Sequence, residues 1–325
     1  MQLEDIGFYT LSDTRCAHAS VDSNLMRCEL ILTDACNFKC PYCRGLRGDI
    51  RKTMPLAQAK QVVDLWAQEG LCNIRFSGGE PTVYRGLVEL VRYTKALGVE
   101  RIAVSTNGSA DWALYEQLIA AGVDDFSVSL DACCSAYGDL MAGGITGAWE
   151  RVVANIRQLS ERVYTTVGIV VTEETVSQLV ETIEFAASLG VADIRIISAA
   201  QYNALLLNAQ GISSQILARF PILRYRIENL KLGRNVRGLQ DTDAHQCGLI
   251  LDDMAIAGNY HFPCIIYMRE SGNAIGTVGP NMREERQRWF EEHDTHCDPI
   301  CKKNCLDVCI DYNNKFRAYQ ADKQK

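Results

Sequence analysis

Short apolar runs alternate with longer segments of helical period from residue 27 to about residue 200. The runs 27–33, 72–77, 101–106, 124–130, 164–172 and 192–198 are rich in Val, Ile and Leu, the pattern of strands buried on both faces. Between them the apolar period lengthens. In 55–69, Leu56, Ala59, Val62, Val63 and Trp66 recur at helical spacing, Pro55 stands near the start and Gly70 follows the end. The segments 85–97, 112–121, 147–160 and 175–189 read the same way, with Gly98, Gly122 and Gly190 after three of them. Six strand–helix units in a row predict a parallel sheet with helical crossovers. Six rather than eight predict an open, partial (β/α)6 TIM-like barrel, an α/β fold whose ligands sit at the carboxyl ends of the strands.

Beyond about residue 200 the regular alternation stops. Residues 247–264 read as a hairpin turning at Gly258-Asn259, with Cys247 and Cys264 near its ends. The expected division is a polar lead-in over 1–26 that packs on the barrel, the barrel over 27–200, and a small cysteine-rich domain over 201–325.

Composition narrows the class. The hydrophobic fraction of 47% is that of a globular protein, and no apolar run reaches the roughly 18 residues of a membrane helix. The first ten residues carry Glu4 and Asp5 and lack a basic-then-apolar leader, so a cytoplasmic, membrane-free protein is expected. A net charge of −7 argues against a generic nucleic-acid surface, though not against a single nucleotide or nucleoside. Fourteen clustered cysteines in such a chain favour metal or catalytic roles over disulfides.

The densest chemistry is Cys36-Asn37-Phe38-Lys39-Cys40-Pro41-Tyr42-Cys43, immediately after the first predicted strand. Three thiolates leave one iron of a [4Fe–4S] cluster open to a ligand that is not protein; thiolates suit zinc as well. A structural zinc site takes four protein ligands and often two cysteine pairs, which this run lacks. Ser77-Gly78-Gly79-Glu80-Pro81 ends the second strand, and Ser105-Thr106-Asn107-Gly108 and Ser129-Leu130-Asp131 end the third and fourth.

These four motifs, in this order, resemble the radical S-adenosylmethionine (SAM) superfamily across roughly residues 27–200. The resemblance implies a partial barrel in which Cys36, Cys40 and Cys43 hold a [4Fe–4S] cluster and Tyr42 supplies the aromatic neighbour of the last cysteine. It implies that Gly78, Gly79 and Glu80 hold the SAM amino group, and that Asn107, Ser129 and Asp131 contact ribose or carboxylate. Arg195 and Gln201, at the end of the sixth strand, are candidates to reach SAM or substrate, as more weakly are Tyr202 and Asn203; the alternative for Arg195 is a salt bridge at the barrel lip. The implied reaction is reductive cleavage of SAM to a 5′-deoxyadenosyl radical, which removes a hydrogen atom from substrate, with a reductant such as flavodoxin or ferredoxin supplying the electron.

The tail holds Cys247, Cys264, Cys297, Cys301, Cys305 and Cys309. A cysteine-flanked hairpin followed by a later cysteine group is similar to the SPASM and twitch extensions, which carry auxiliary iron–sulfur clusters. Six cysteines rather than seven imply one auxiliary cluster, of the [4Fe–4S] type, on Cys247, Cys264 and two of the late group, Cys301 and Cys305 first and Cys309 next, with Cys297 the weakest candidate; two clusters are the alternative. A zinc knuckle uses the same ligands. Cys16, Cys28, Cys72, Cys133 and Cys134 are expected to pack as small apolar residues. Cys133 or Cys134, close after Asp131, is the alternative hydrogen donor to a substrate radical.

An auxiliary cluster implies a net oxidation, dehydrogenation or bond formation, of a small molecule: a sugar, aminocyclitol, nucleoside or amino-acid derivative. Only 35 residues precede Cys36, too few for the peptide-binding domain of many peptide-modifying relatives. The alternatives are a radical epimerase or a modifier of a short peptide, and, from another class, a zinc or iron–sulfur protein without catalysis.

Overall fold

The computed structural model describes residues 15–50, 52–199 and 211–323. Six β/α units follow one another: β1 (Arg27–Thr33), α1 (Leu56–Gln68), β2 (Asn73–Gly78), α2 (Leu87–Ala96), β3 (Arg101–Thr106), α3 (Trp112–Ala121), β4 (Asp125–Ser129), α4 (Ser135–Met141), α5 (Ala148–Ser160), β5 (Tyr164–Val171), α6 (Leu179–Ser188) and β6 (Asp193–Ser198). Each predicted strand and helix forms within a few residues of its expected limits. The short α4, between β4 and α5, has no counterpart in the expectation. Its seven residues are too few to show a helical period.

β1 to β6 pair in sequence order and in parallel, the partial barrel expected. The core between sheet and helices is built on Trp66, Phe76, Tyr115 and Phe126, all fully buried. The inward face of the strands is polar. Arg75 donates to Ser105 Oγ (3.3 Å) and lies 4.0 Å from the Asp125 carboxylate, while Arg195 donates to Ser127 and to Thr166 Oγ1 (2.8 Å).

After α7 (Ser214–Arg219) and α8 (Pro221–Lys231) the chain returns to the barrel. β7 (Asp253–Ala257) pairs in parallel with β1, and β8 (Tyr260–Phe262) and β9 (Gly276–Thr277) extend the sheet antiparallel, giving the order β6-β5-β4-β3-β2-β1-β7-β8-β9. The hairpin at Gly258-Asn259 is therefore present, but it continues the barrel's own sheet. α9 (Ile265–Arg269), α10 (Met282–Glu292), α11 (Pro299–Asn304) and α12 (Asp307–Lys323) complete the tail. The described lead-in departs from expectation: Cys16 and Ala19 pack with Leu249–Leu251 and Phe316 of the tail, while Leu25 joins the barrel core. Among the described residues no helix is long and apolar enough to cross a membrane.

Candidate active site and auxiliary cysteine pocket

β1 ends in a register shift at Thr33, which turns the chain out of the sheet and into the cysteine loop. Two backbone hydrogen bonds hold that exit against the end of β2: Gly79 N–H to the Thr33 carbonyl (2.7 Å) and Glu80 N–H to the Ala35 carbonyl (2.8 Å). The two glycines permit this contact. A Cβ on Gly78 would lie 2.4 Å from the Thr33 carbonyl oxygen, and one on Gly79 would lie 2.4 Å from that of Ala35. The space a side chain would fill is taken by the backbone leading into Cys36.

Glu80 is fully buried, and its carboxylate is engaged on all sides. It accepts from Thr82 N–H (3.0 Å), Thr82 Oγ1 (2.7 Å), Thr106 Oγ1 (2.7 Å) and Asn107 N–H (2.6 Å). Burial raises its pKa and these four donors lower it. It thereby joins the glycine turn to the end of β3. Asn107 in turn donates to Asn37 Oδ1 (2.9 Å) and accepts from Ser109, whose Oγ also accepts from Asn37 Nδ2 (2.8 Å). The loop that carries Cys36 is clamped to β3 by this triangle.

Tyr42 and Asp131 form a second clamp. The Tyr42 hydroxyl donates to Asp131 Oδ2 (2.5 Å), and the other carboxylate oxygen accepts from Val170 N–H (2.7 Å). Burial pushes Asp131 up to about 6, against the pull of both donors. The aromatic residue before Cys43 thus ties the loop to the ends of β4 and β5.

Cys36, Cys40 and Cys43 line one cavity of about 430 Å³ at the carboxyl ends of the strands. Cys36 and Cys43 are exposed and Cys40 is half-buried. Gly78, Gly79, Glu80, Asn107, Ser129, Asp131 and Tyr42 line the same cavity, so the expected SAM-binding set is brought together. Arg195, Cys133 and Cys134 do not line it. Arg195 is held in the lumen by Ser127 and Thr166, and the Cys133 thiol faces Gln178 (3.9 Å). Gln201, Tyr202 and Asn203 lie outside the described residues.

The cavity also holds residues that the sequence reading passed over: Ser77, Ser105 and Ser127 on its floor, and Arg44, Arg237 and Arg269 on its wall. The serines carried a signal. Arg75 and Ser77, then Asp125, Ser127 and Ser129, alternate with buried apolar residues, which marks an inward polar face. Arg237 and Arg269 carried none, because their positions depend on where the tail docks, and Arg44, next to Cys43, is turned by its pairing with Glu270 of that tail.

The tail folds around a second pocket. Cys247, Cys264, Cys301, Cys305 and Cys309 all line it, among Leu239, Leu249, Ile266, Trp289 and Leu306. Cys297 is exposed and lines neither cavity. Burial pushes Cys247 up to about 11 and raises Cys264 and Cys301 further. Thiols so raised are protonated and unreactive at neutral pH, and metal ligation would release their protons.

Both thiol groups fit iron–sulfur clusters in the chemistry of their donors: all sulfur, three at an open cavity and five around a closed apolar one. A single tetrahedral zinc, with bonds of about 2.3 Å, would draw its sulfurs within ~4 Å of one another. Among the described residues, His293, Asp298 and Cys301 bring three ligand atoms within 4.8 Å; no three cysteine sulfurs do. Asp298 is already engaged, capping α11 through Ile300 and Cys301 N–H and accepting from the Tyr267 hydroxyl (2.9 Å).

Comparison with known proteins agrees with this geometry. The family model described as the radical SAM superfamily matches residues 30–186. A GTP 3′,8-cyclase of Pelotomaculum thermopropionicum is 38% identical over 131 residues, 37% of this chain and 39% of that protein. Molybdenum cofactor biosynthesis protein 1 of Drosophila melanogaster is 34% identical over 130 residues, 38% of this chain and 23% of that protein. A probable GTP 3′,8-cyclase of Saccharolobus solfataricus is 31% identical over 172 residues, 52% of this chain and 55% of that protein. The chain thus spans between about a quarter and a little over half of the length of these relatives. Among solved structures, Streptococcus suis SuiB bound to precursor peptide SuiA matches with a TM-score of 0.58 at 14% identity, over 83% of this chain and 65% of that one. Native anSMEcpe with bound AdoMet matches with a TM-score of 0.57 at 15% identity, over 92% and 97%. These two share the fold.

Proposed function

Because residues 30–186 are a radical SAM domain, we propose that this protein binds a [4Fe–4S] cluster and SAM in the barrel cavity and oxidises a small molecule there, with an auxiliary cluster as electron acceptor. The carrying observation is the division of the thiols: three at the open cavity with the glycine turn, five around a separate buried pocket.

When bound, the cluster and SAM supply one-electron cleavage of the sulfonium and removal of a hydrogen atom from substrate. The chain's own residues orient and enclose. Cys36, Cys40 and Cys43 hold the cluster. The Gly78-Gly79-Glu80 turn receives the SAM amino group, its shape fixed by the four hydrogen bonds into Glu80. Asn107, Ser129 and Asp131 face ribose or carboxylate, and Leu130, Val152, Val170 and Ile197 give the cavity an apolar part of its wall. In the tail, Cys247 and Cys264 with two of Cys301, Cys305 and Cys309 hold the auxiliary cluster. The functional division is barrel (27–200) and cluster-bearing tail (201–325), although β7 is hydrogen-bonded into the barrel sheet.

Oxidation is favoured over epimerisation by the placement of the remaining thiols. Among the described residues, the cysteines lining the cavity are Cys36, Cys40 and Cys43 alone, which leaves no spare thiol beside the substrate to return hydrogen. The GTP 3′,8-cyclase relatives make a nucleotide one candidate within the small-molecule class, and flavodoxin or ferredoxin is the proposed electron donor. The test is anaerobic reconstitution, reduction with dithionite and addition of SAM. Equal amounts of 5′-deoxyadenosine and methionine are expected, from protein carrying about eight irons per chain. Iron-loaded protein that leaves SAM intact would overturn the reading.

A further inference from the structure

Three guanidinium groups reach the barrel cavity, and two are committed to the protein. Arg269 donates to the carbonyls of Gly78 (2.8 Å) and Gly45 (3.4 Å), and Arg44 is paired with Glu270. Arg237 is held only loosely. Its Nη1 makes a long contact with the Asn304 carbonyl (3.4 Å), and its buried Nε has no partner among the described residues. The backbone beneath it is fixed. Residue 237 forms a bridge with Leu306, Gly238 N–H donates to the Cys305 carbonyl (2.9 Å), and Leu239 N–H to that of Lys302 (2.9 Å). Leu239, two residues on, lines the cysteine pocket. The guanidinium therefore stands at a set point on the wall between the two cavities.

Leaving a buried donor unpaired is costly, so its position in a ligand cavity calls for an acceptor. Among the described residues no carboxylate is hydrogen-bonded to it. Glu80 is taken by four internal donors and Asp131 by Tyr42 and Val170; Glu270, whose charge favours the Arg237 cation, pairs with Arg44 through Oε2, and its buried Oε1 makes no hydrogen bond to Arg237. Burial lowers Arg237 only to about 10, so the charge is present at neutral pH. A planar fork with free donors matches a carboxylate or a phosphate.

We propose that Arg237 anchors an anionic group of the substrate, a carboxylate or a phosphate, on the wall that separates the barrel cavity from the auxiliary cysteine pocket. This deepens the proposed function and rests on it. It places the substrate between the site of hydrogen removal and the electron acceptor, the geometry a net oxidation needs.

The test uses reconstituted holoenzyme saturated with SAM, titrated calorimetrically with inorganic pyrophosphate and, separately, with malonate. Wild type binds one of the two, and the better ligand tells phosphate from carboxylate. R237Q weakens that binding roughly tenfold or more, as loss of a charge-assisted pair should. R237K, which keeps the charge but not the fork, lies between, and its retained binding excludes misfolding as the cause. The SAM dissociation constant is the same in all three. Equal anion affinity in R237Q and wild type, or no binding of either anion to wild type, overturns the proposal. So does a loss of SAM affinity in R237Q that parallels the loss of anion affinity, since it assigns Arg237 to the carboxylate of SAM. Anion binding through Arg237 in a protein that leaves SAM intact removes the radical reading and leaves the anion site standing.

Discussion

Gly78 and Gly79 fix where Cys36, Cys40 and Cys43 stand, because they let the exit of β1 lie against the end of β2. The sequence places this turn correctly, yet its reason is visible only in the fold. Glycine read along the chain leaves room for a ligand, whereas here the room is filled by the carbonyls of Thr33, Asp34 and Ala35. The same holds for Glu80, whose type announces a ligand contact and whose burial reveals a brace across β2 and β3. Gly79→Ala forces a Cβ to within 2.4 Å of backbone rather than of a flexible side chain, so the loop itself must move. We expect a loss of about 1–3 kcal/mol in stability and loss of about four irons per chain, measured by thermal unfolding and iron assay, with the tail's iron retained. Glu80→Ala, which leaves Asn107 N–H and Thr106 without their acceptor, should lower SAM affinity more than Glu80→Gln, which keeps one acceptor oxygen; calorimetry with SAM resolves the two.

At the level of elements, the strands and helices of the barrel other than α4 were legible because each had its own period and most of the helices a glycine stop. The docking of the tail was not. β7 carries the same apolar run whether it ends a hairpin or pairs with β1, and only the register Arg27↔Asp253 to Ile31↔Ala257 decides. That docking makes α9 a strut between the two cysteine systems. Cys264 caps its amino end, accepting from Tyr267 N–H (3.4 Å), and Arg269 at its other end holds the carbonyls of Gly78 and Gly45. Arg47, four residues after Cys43, donates back to the carbonyls of Ser271 (3.0 Å) and Gly272 (2.7 Å). Arg269→Ala should therefore weaken SAM binding severalfold although the helix belongs to the tail, while the tail's own iron remains; equilibrium binding and iron assay check both halves. A second element carries a pH signature. Asp193, almost wholly buried, accepts from the N–H groups of Ile194 (2.8 Å), Ile222 (3.0 Å) and Leu223 (3.4 Å), joining β6 to the start of α8. Burial raises it to about 6 against these donors. The folded state then holds its proton more tightly than the unfolded chain, so this contribution is full below pH 4 and is lost as pH rises through 6. At 1.36 kcal/mol per unit, the loss is up to about 3 kcal/mol. In Asp193→Asn the stability lost between pH 4 and 6 should shrink by that order, read from unfolding midpoints of the two proteins side by side.

On the scale of the molecule, two thiol systems line separate cavities, and the sequence could sort them only in part. Spacing separated the loop trio from the tail, and it set Cys301 and Cys305 only narrowly ahead of Cys309, because the three positions recur at equal intervals of four. The fold brings all three to one pocket and leaves Cys297 at the surface, so five thiols surround a site that four would close. Replacing a thiol that is indispensable differs from replacing one that has a substitute beside it. Cys247 and Cys264 come from different turns of the chain, and no other cysteine lies on their side of the sequence, so Cys247→Ser or Cys264→Ser should lower the iron content from about eight to about four per chain. A single Ser at Cys301, Cys305 or Cys309 leaves Cys247, Cys264 and two late thiols, the set proposed to hold the cluster, and at least one of the three variants should keep close to the full complement. The same preparations separate the roles of the two clusters. Under the proposed oxidation, Cys264→Ser should still release 5′-deoxyadenosine from SAM, because Cys36, Cys40 and Cys43 remain, but it should fail to convert substrate, because the proposed acceptor for the second electron is gone. If Cys264→Ser instead turned over substrate at the wild-type rate, the tail cluster would be a structural staple, contributing to folding through its ligands, and the oxidation would need its acceptor elsewhere.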